Sequence, residues 1–140
     1  MKRLERDTRV HEVLLAAACA PVALTDEELA TWHQRWRKVY AKELHAETGN
    51  WLLLEFDWHV FSYGKHAHQQ GAAAWAEYRR LRSQSFVVLS AYSRQPFGFT
   101  CKGKPPDSLD MDLDLLIAPP TMAWTMSFNH ERYGPYFAVP

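Results

Sequence analysis

The order of hydrophobic periods limits this chain most: helical spacing comes early and strand alternation comes late. Met122, Trp124, Met126 and Phe128 alternate with Ala123, Thr125 and Ser127, the cleanest period of two in the sequence. Met111, Leu113, Leu115 and Ile117 alternate with Asp112, Asp114 and Leu116, and Pro119-Pro120 closes that run. Residues 85–92 (SFVVLSAY) read as a buried strand from their β-branched and aromatic content. Shorter strands are expected at residues 97–101 and 136–139, the second after a turn at Gly134-Pro135. Few βαβ crossovers suit this order. The pattern predicts one α+β domain over residues 1–140, with two or three helices packed on one face of a mostly antiparallel sheet of four to six strands.

The strongest local signal is a helix start at Thr25. Thr25-Asp-Glu-Glu28 has the form of a capping box, and Leu24 and Leu29 stand where a hydrophobic staple would hold them. Leu29, Trp32, Trp36, Val39 or Tyr40, and Leu44 then recur at helical spacing, and Gly49 is suited to a left-handed cap. A second helix is expected over residues 71–82, burying Ala74, Trp75, Tyr78 and Leu81. Residues 51–62 read as extended, because Leu52, Leu54, Phe56, Trp58 and Val60 share one face at period two; a buried helix is the alternative. Residues 63–68 read as a loop, and the first sixteen residues fit a helix or an edge strand.

Sixteen basic residues balance sixteen acidic ones, so no general field draws the chain to nucleic acid or to an anionic membrane. Arg79, Arg80 and Arg82 with Lys102 and Lys104 read as a solvated basic face. No stretch approaches the roughly 20 apolar residues of a membrane span. Basic residues precede the Ala-rich run at 13–23, but Glu5, Asp7 and Glu12 interrupt the approach, unlike a secretory signal. Cys19 and Cys101 form no disulfide framework. The cytoplasm is the expected compartment.

Three stretches carry a resemblance. They are Trp58-His-Val-Phe-Ser62, then Gly71-Ala-Ala-Ala-Trp-Ala76, then Trp124-Thr-Met-Ser-Phe-Asn-His-Glu131 running into Gly134-Pro-Tyr-Phe137. Together they resemble a small bacterial family catalogued as a domain of unknown function (family 4275). That family pairs W-x-x-F-S with a G-x-x-A helix, a T-H-E segment and a G-P-Y-F ending. Asn129 stands here where the family pattern has threonine. The resemblance implies a one-domain α+β protein of a bacterial cytoplasm and carries no reaction. It marks Trp58, His59, Ser62, His130, Glu131 and Tyr136 as residues with a structural or site role.

The residues themselves supply no catalytic motif, and no catalytic residue or cofactor is assigned. His130-Glu131 lacks the second histidine of a zincin helix, since position 134 is glycine. There is no G-x-S-x-G elbow, and the glycines form no phosphate-cradling loop. No metal site is assigned; were one present, His59, His66 and His68 are its candidate ligands. Asp107, Asp110, Asp112 and Asp114 are the candidate partner surface, because a strand there would present the last three together. The expected function is a non-enzymatic protein-binding module, of immunity type (toxin-neutralising) or antitoxin-like. Its partner would be a protein, such as a cognate toxin with a basic surface. The alternatives are a small His-dependent metal-binding enzyme and a structural or regulatory homo-oligomer.

Overall fold

A computed structural model of the chain describes residues 2–49, 55–81, 84–107 and 109–140. Its elements are α1 (Arg3–Ala16), β1 (Val22–Ala23), α2 (Asp26–Tyr40), α3 (Lys42–Thr48), α4 (His59–Ser62), β2 (Gln69–Gln70), α5 (Ala72–Arg79), β3 (Ser85–Ser90), β4 (Gly98–Lys102), β5 (Leu115–Ala118), β6 (Thr125–Phe128) and β7 (Tyr136–Ala138). A 3-10 turn over Met111–Leu113 leads into β5. The strands form one antiparallel sheet in the order β1-β4-β3-β5-β6-β7-β2. Class and pairing are those the periodicity predicts. The described residues hold more elements than expected: seven strands and five helices.

The helices cover both faces of the sheet rather than one. The central strands explain this. In β3, Phe86 and Val88 face one core while Val87 and Leu89 face the other. In β5, Leu115 and Ile117 face the first core, Leu116 and Ala118 the second. Strands with apolar residues on both faces need cover on both sides, as in buried sheets generally. Val10 and Leu14 of α1 with Ala74 and Tyr78 of α5 close the first core. Leu29, Trp36 and Tyr40 of α2 with Val60 and Phe61 of α4 close the second. Among the described residues no helix is long and apolar enough to cross a membrane.

The capping box forms as read: Thr25 Oγ1 accepts from the Glu28 amide at 3.2 Å, and Glu28 Oε1 accepts from the Thr25 amide at 3.0 Å. The expected single helix breaks at Ala41 (φ −113°, ψ 14°) into α2 and α3, and Gly49 caps α3 in the left-handed region at φ 70°. The ambiguous N-terminus is a helix.

Two strand expectations are corrected. Residues 51–54 lie outside the described residues, as does Arg82. From there Phe56 makes an isolated bridge to Tyr92, residues 57–58 turn, and α4 completes one helical turn. The turn wins because Val60 and Phe61, neighbours in sequence, are both buried in the second core, which a half-buried strand would not permit. The acidic alternation at 111–117 is also two elements. Its first half is the 3-10 turn, capped by Asp110 Oδ1 on the Asp112 amide at 2.9 Å, and only its second half is a strand.

Candidate functional site

Several motif residues meet at one end of the central strands. Asp114 precedes β5, and Leu115 pairs with both Ser90 and Phe128. The positions just beyond these strand ends, Tyr92, Asp114 and His130, therefore lie together. Asp114 sits at φ 51°, a left-handed conformation that aspartate tolerates better than most residues. Its backbone is pinned from both sides. The Ala91 amide donates to its carbonyl at 2.8 Å, and the buried Arg6 of α1 donates to the same oxygen at 3.2 Å and to Leu113 O. Arg6 also donates to Ser90 Oγ at 3.2 Å and Gln95 Oε1 at 3.0 Å, and lies over the Tyr92 and Phe97 rings.

The Asp114 carboxylate is the hub. Trp58 Nε1 donates to its Oδ1 at 3.0 Å, the His130 amide donates at 3.2 Å, and His130 Nδ1 lies 2.9 Å from both oxygens. A carboxylate only accepts, so His130 Nδ1 is the donor of this contact. Burial raises the Asp114 carboxyl above its usual range, while the His130 and Trp58 hydrogen bonds pull it back. Phe56 and Trp58 wall both histidines: ring centres of His59 lie 4.3 Å from Trp58 and 5.8 Å from Phe56, and those of His130 lie 5.3 Å and 5.1 Å away.

A second layer holds Glu131. Tyr136 Oη donates to Glu131 Oε2 at 3.3 Å, and His59 Nδ1 stands 3.9 Å from Oε1. Ser62 Oγ lies 3.2 Å from the same His59 nitrogen. Glu131 lines an open cleft of about 450 Å³ with Phe61, Tyr63, Tyr133 and Tyr136. Tyr63 and Tyr133 on its rim are 58% and 60% exposed. The turn below is tight. A Cβ on Gly134 would collide with the side chain of Asn129, which is itself fully buried and whose side-chain atoms have no hydrogen-bond partner among the described residues.

No family model, curated protein or solved structure matches this chain. The arrangement of the site therefore rests on its own chemistry.

The resemblance residues Trp58, His59, Ser62, His130, Glu131 and Tyr136 are brought together, and Asp114 joins them. The other candidates are not. Asp107 and Asp110 are exposed and pair with Lys104 at 3.4 Å and Arg9 at 3.9 Å. Asp112 is exposed and Asp114 is 7% exposed, so the expected acidic strand face does not form. His66 and His68 turn away from His59: His66 Nε2 meets Val139 O at 2.8 Å, and His68 Nδ1 meets His66 O at 2.9 Å. Among the described residues no group of three His, Cys, Asp or Glu side chains is disposed to hold a metal ion.

Nucleophilic catalysis finds no partner here either. A Ser-His-acid relay uses opposite nitrogens of the imidazole. Ser62 and Glu131 both face His59 Nδ1, so they compete for one atom. Cys19 and Cys101 are buried in the first core, away from this site, and burial pushes the Cys101 thiol up to about 12.

Sequence reasoning missed a second buried group. Asp57 Oδ1 accepts from Arg37 Nε at 3.0 Å, and its unbonded Oδ2 lies 3.7 Å from His33 Nε2, which donates to Ser90 O at 2.9 Å. This ties the turn before α4 to α2. The His33 position, one helical turn beyond Leu29 on the buried stripe, was the available signal.

Burial lowers the pKa of both His33 and His59 below the ordinary 6.5. The folded chain therefore resists protons that the unfolded chain accepts. Their contribution is complete above the ordinary value and is lost as pH falls through the depressed ones. Asp114, raised by burial, acts with the opposite sign, but nearer the carboxylate range. Urea midpoints should therefore fall between about pH 7.5 and 5.5. A flat profile over that interval would show that neither ring is held neutral.

Proposed function

We propose that this chain works by binding a protein partner, as an immunity-type or antitoxin-like inhibitor, through the surface around Glu131. The reading places it in a bacterial cytoplasm. One observation carries it: Tyr63 and Tyr133 stand largely exposed on the rim of a cleft whose floor carries a positioned carboxylate. Tyrosine is enriched where interfaces concentrate their binding energy, and it loses little side-chain entropy on docking. The hydrogen bonds of Asp114, Trp58 and Tyr136 hold the surface in shape before any partner arrives, which lowers the cost of association.

The test is capture of the partner from the source cell. A stoichiometric protein partner is expected, and the double variant Tyr63→Ala with Tyr133→Ala should weaken its binding by about 30-fold or more while circular dichroism shows the fold retained. Neutralising Asp110 and Asp112 should change it little, because both are solvated rim charges. Undiminished binding by the tyrosine variant would remove the surface, and the absence of any stoichiometric partner would remove the function.

A second reading rests on the Asp114–His130 pair. A buried carboxylate that orients an imidazole is the arrangement of a general base acting on water. On that reading the chain is a small His-dependent enzyme, and His130→Gln abolishes turnover while leaving partner capture intact.

A further inference from the structure

Building on the binding reading, we infer that the cleft over Glu131 receives a cationic side chain, lysine or arginine, from the partner. Glu131 contributes the one carboxylate among the described residues that line the cleft, and none of those residues is a lysine or arginine. The carboxylate is 34% exposed, open to a ligand yet held by Tyr136 Oη. Beside it the exposed rings of Tyr63 and Tyr133, the former stacked by one face on His59 at 4.6 Å, carry the negative side of the π quadrupole on their open faces, while Phe61 and Tyr136 are buried beneath. Aromatic walls around a carboxylate are the complement of an organic cation: the rings accept its charge and cover its methylenes, and the carboxylate takes its N–H donors. The chain itself already uses such contacts nearby, since the Arg132 guanidinium lies 5.7 Å from the centre of the Tyr133 ring. The Tyr136 hydroxyl stays protonated, and so a donor, because burial and the Glu131 charge push it up to about 12. The chain is neutral overall, so recognition by this cleft is local and does not depend on a long-range field.

The experiment is an NMR titration of the intact protein with the Nα-acetyl methylamides of arginine and lysine, and with that of norleucine as the uncharged probe. Saturable shifts centred on Tyr63, Glu131 and Tyr133 are expected with at least one cationic probe and not with norleucine. Glu131→Gln is nearly isosteric and keeps an acceptor for Tyr136; it should weaken the cation by about tenfold or more. Norleucine binding as well as the cations, or Glu131→Gln leaving cation binding unchanged, would overturn the inference. The two readings separate cleanly. If the tyrosine variant loses the partner while Glu131→Gln keeps it, the surface stands and the cation inference falls. If Glu131→Gln alone abolishes cation binding but the tyrosine variant still holds its partner, the cleft is a cation site and the proposed interface is elsewhere.

Discussion

Trp36→Ala should cost about 3–5 kcal/mol of stability, because it empties the centre of the core on the α2 side of the sheet. Trp36 is fully buried; its ring lies 5.2 Å from that of Tyr40 and 6.0 Å from that of Phe61, so its removal opens a cavity between α2 and α4. Its indole N–H donates to Thr125 Oγ1 at 2.9 Å, and that hydroxyl donates onward to Ile117 O at 3.0 Å. Domains of this size are stable by only about 5–15 kcal/mol, so the variant stands close to unfolding at ambient temperature. Trp36→Phe separates packing from hydrogen bonding. It keeps most of the volume, and Thr125 retains its bond to Ile117, so a loss near 1 kcal/mol is expected. Urea denaturation followed by far-ultraviolet circular dichroism measures both. An alanine variant within about 1 kcal/mol of the parent would mean that the second core collapses around the gap, and that α2 is held by something other than this ring.

Asp114→Ala should cost about 3 kcal/mol and dissolve the site as well. Three donors lose their acceptor together: the buried Trp58 indole, the His130 amide and His130 Nδ1. Alanine must also hold φ near 51°, a conformation it adopts at a cost of about 1–2 kcal/mol. Asp114→Asn is the informative partner. Asparagine tolerates that backbone and keeps one acceptor oxygen, so about half of the loss should be recovered. The His130 and Trp58 side-chain NMR signals should move in both variants. Equal stability of the alanine variant and the parent would show that the carboxylate organises nothing, and the proposed binding surface would then lose its internal support.

How far these features were visible beforehand depends on whether their cause was local. The start of α2 was legible because the capping box and staple are short-range chemistry within residues 24–29. The strands β3 and β6 were legible from composition and alternation. The segment at 57–62 misled because apolar residues at 56, 58 and 60 fit period two by coincidence, while the buried neighbours Val60 and Phe61 carried the true signal. The acidic alternation misled in the same way. Leu116 falls in the polar phase, and that break marks where a solvated turn ends and a strand buried on both faces begins. Motif residues at both ends of the site could be named in advance. Their meeting at Asp114 could not, because it joins positions 16 and 56 residues apart through sheet register that no local pattern encodes.

The sheet ends in strands of two residues each, Val22–Ala23 on one border and Gln69–Gln70 on the other. So little free backbone offers a poor template for strand addition, the route by which many proteins recruit an extended peptide or, misdirected, polymerise. On the proposed binding function, a partner would instead be recognised by protruding loops and their side chains. Variation at a few such positions would then retune its choice of target while the scaffold beneath stays as it is.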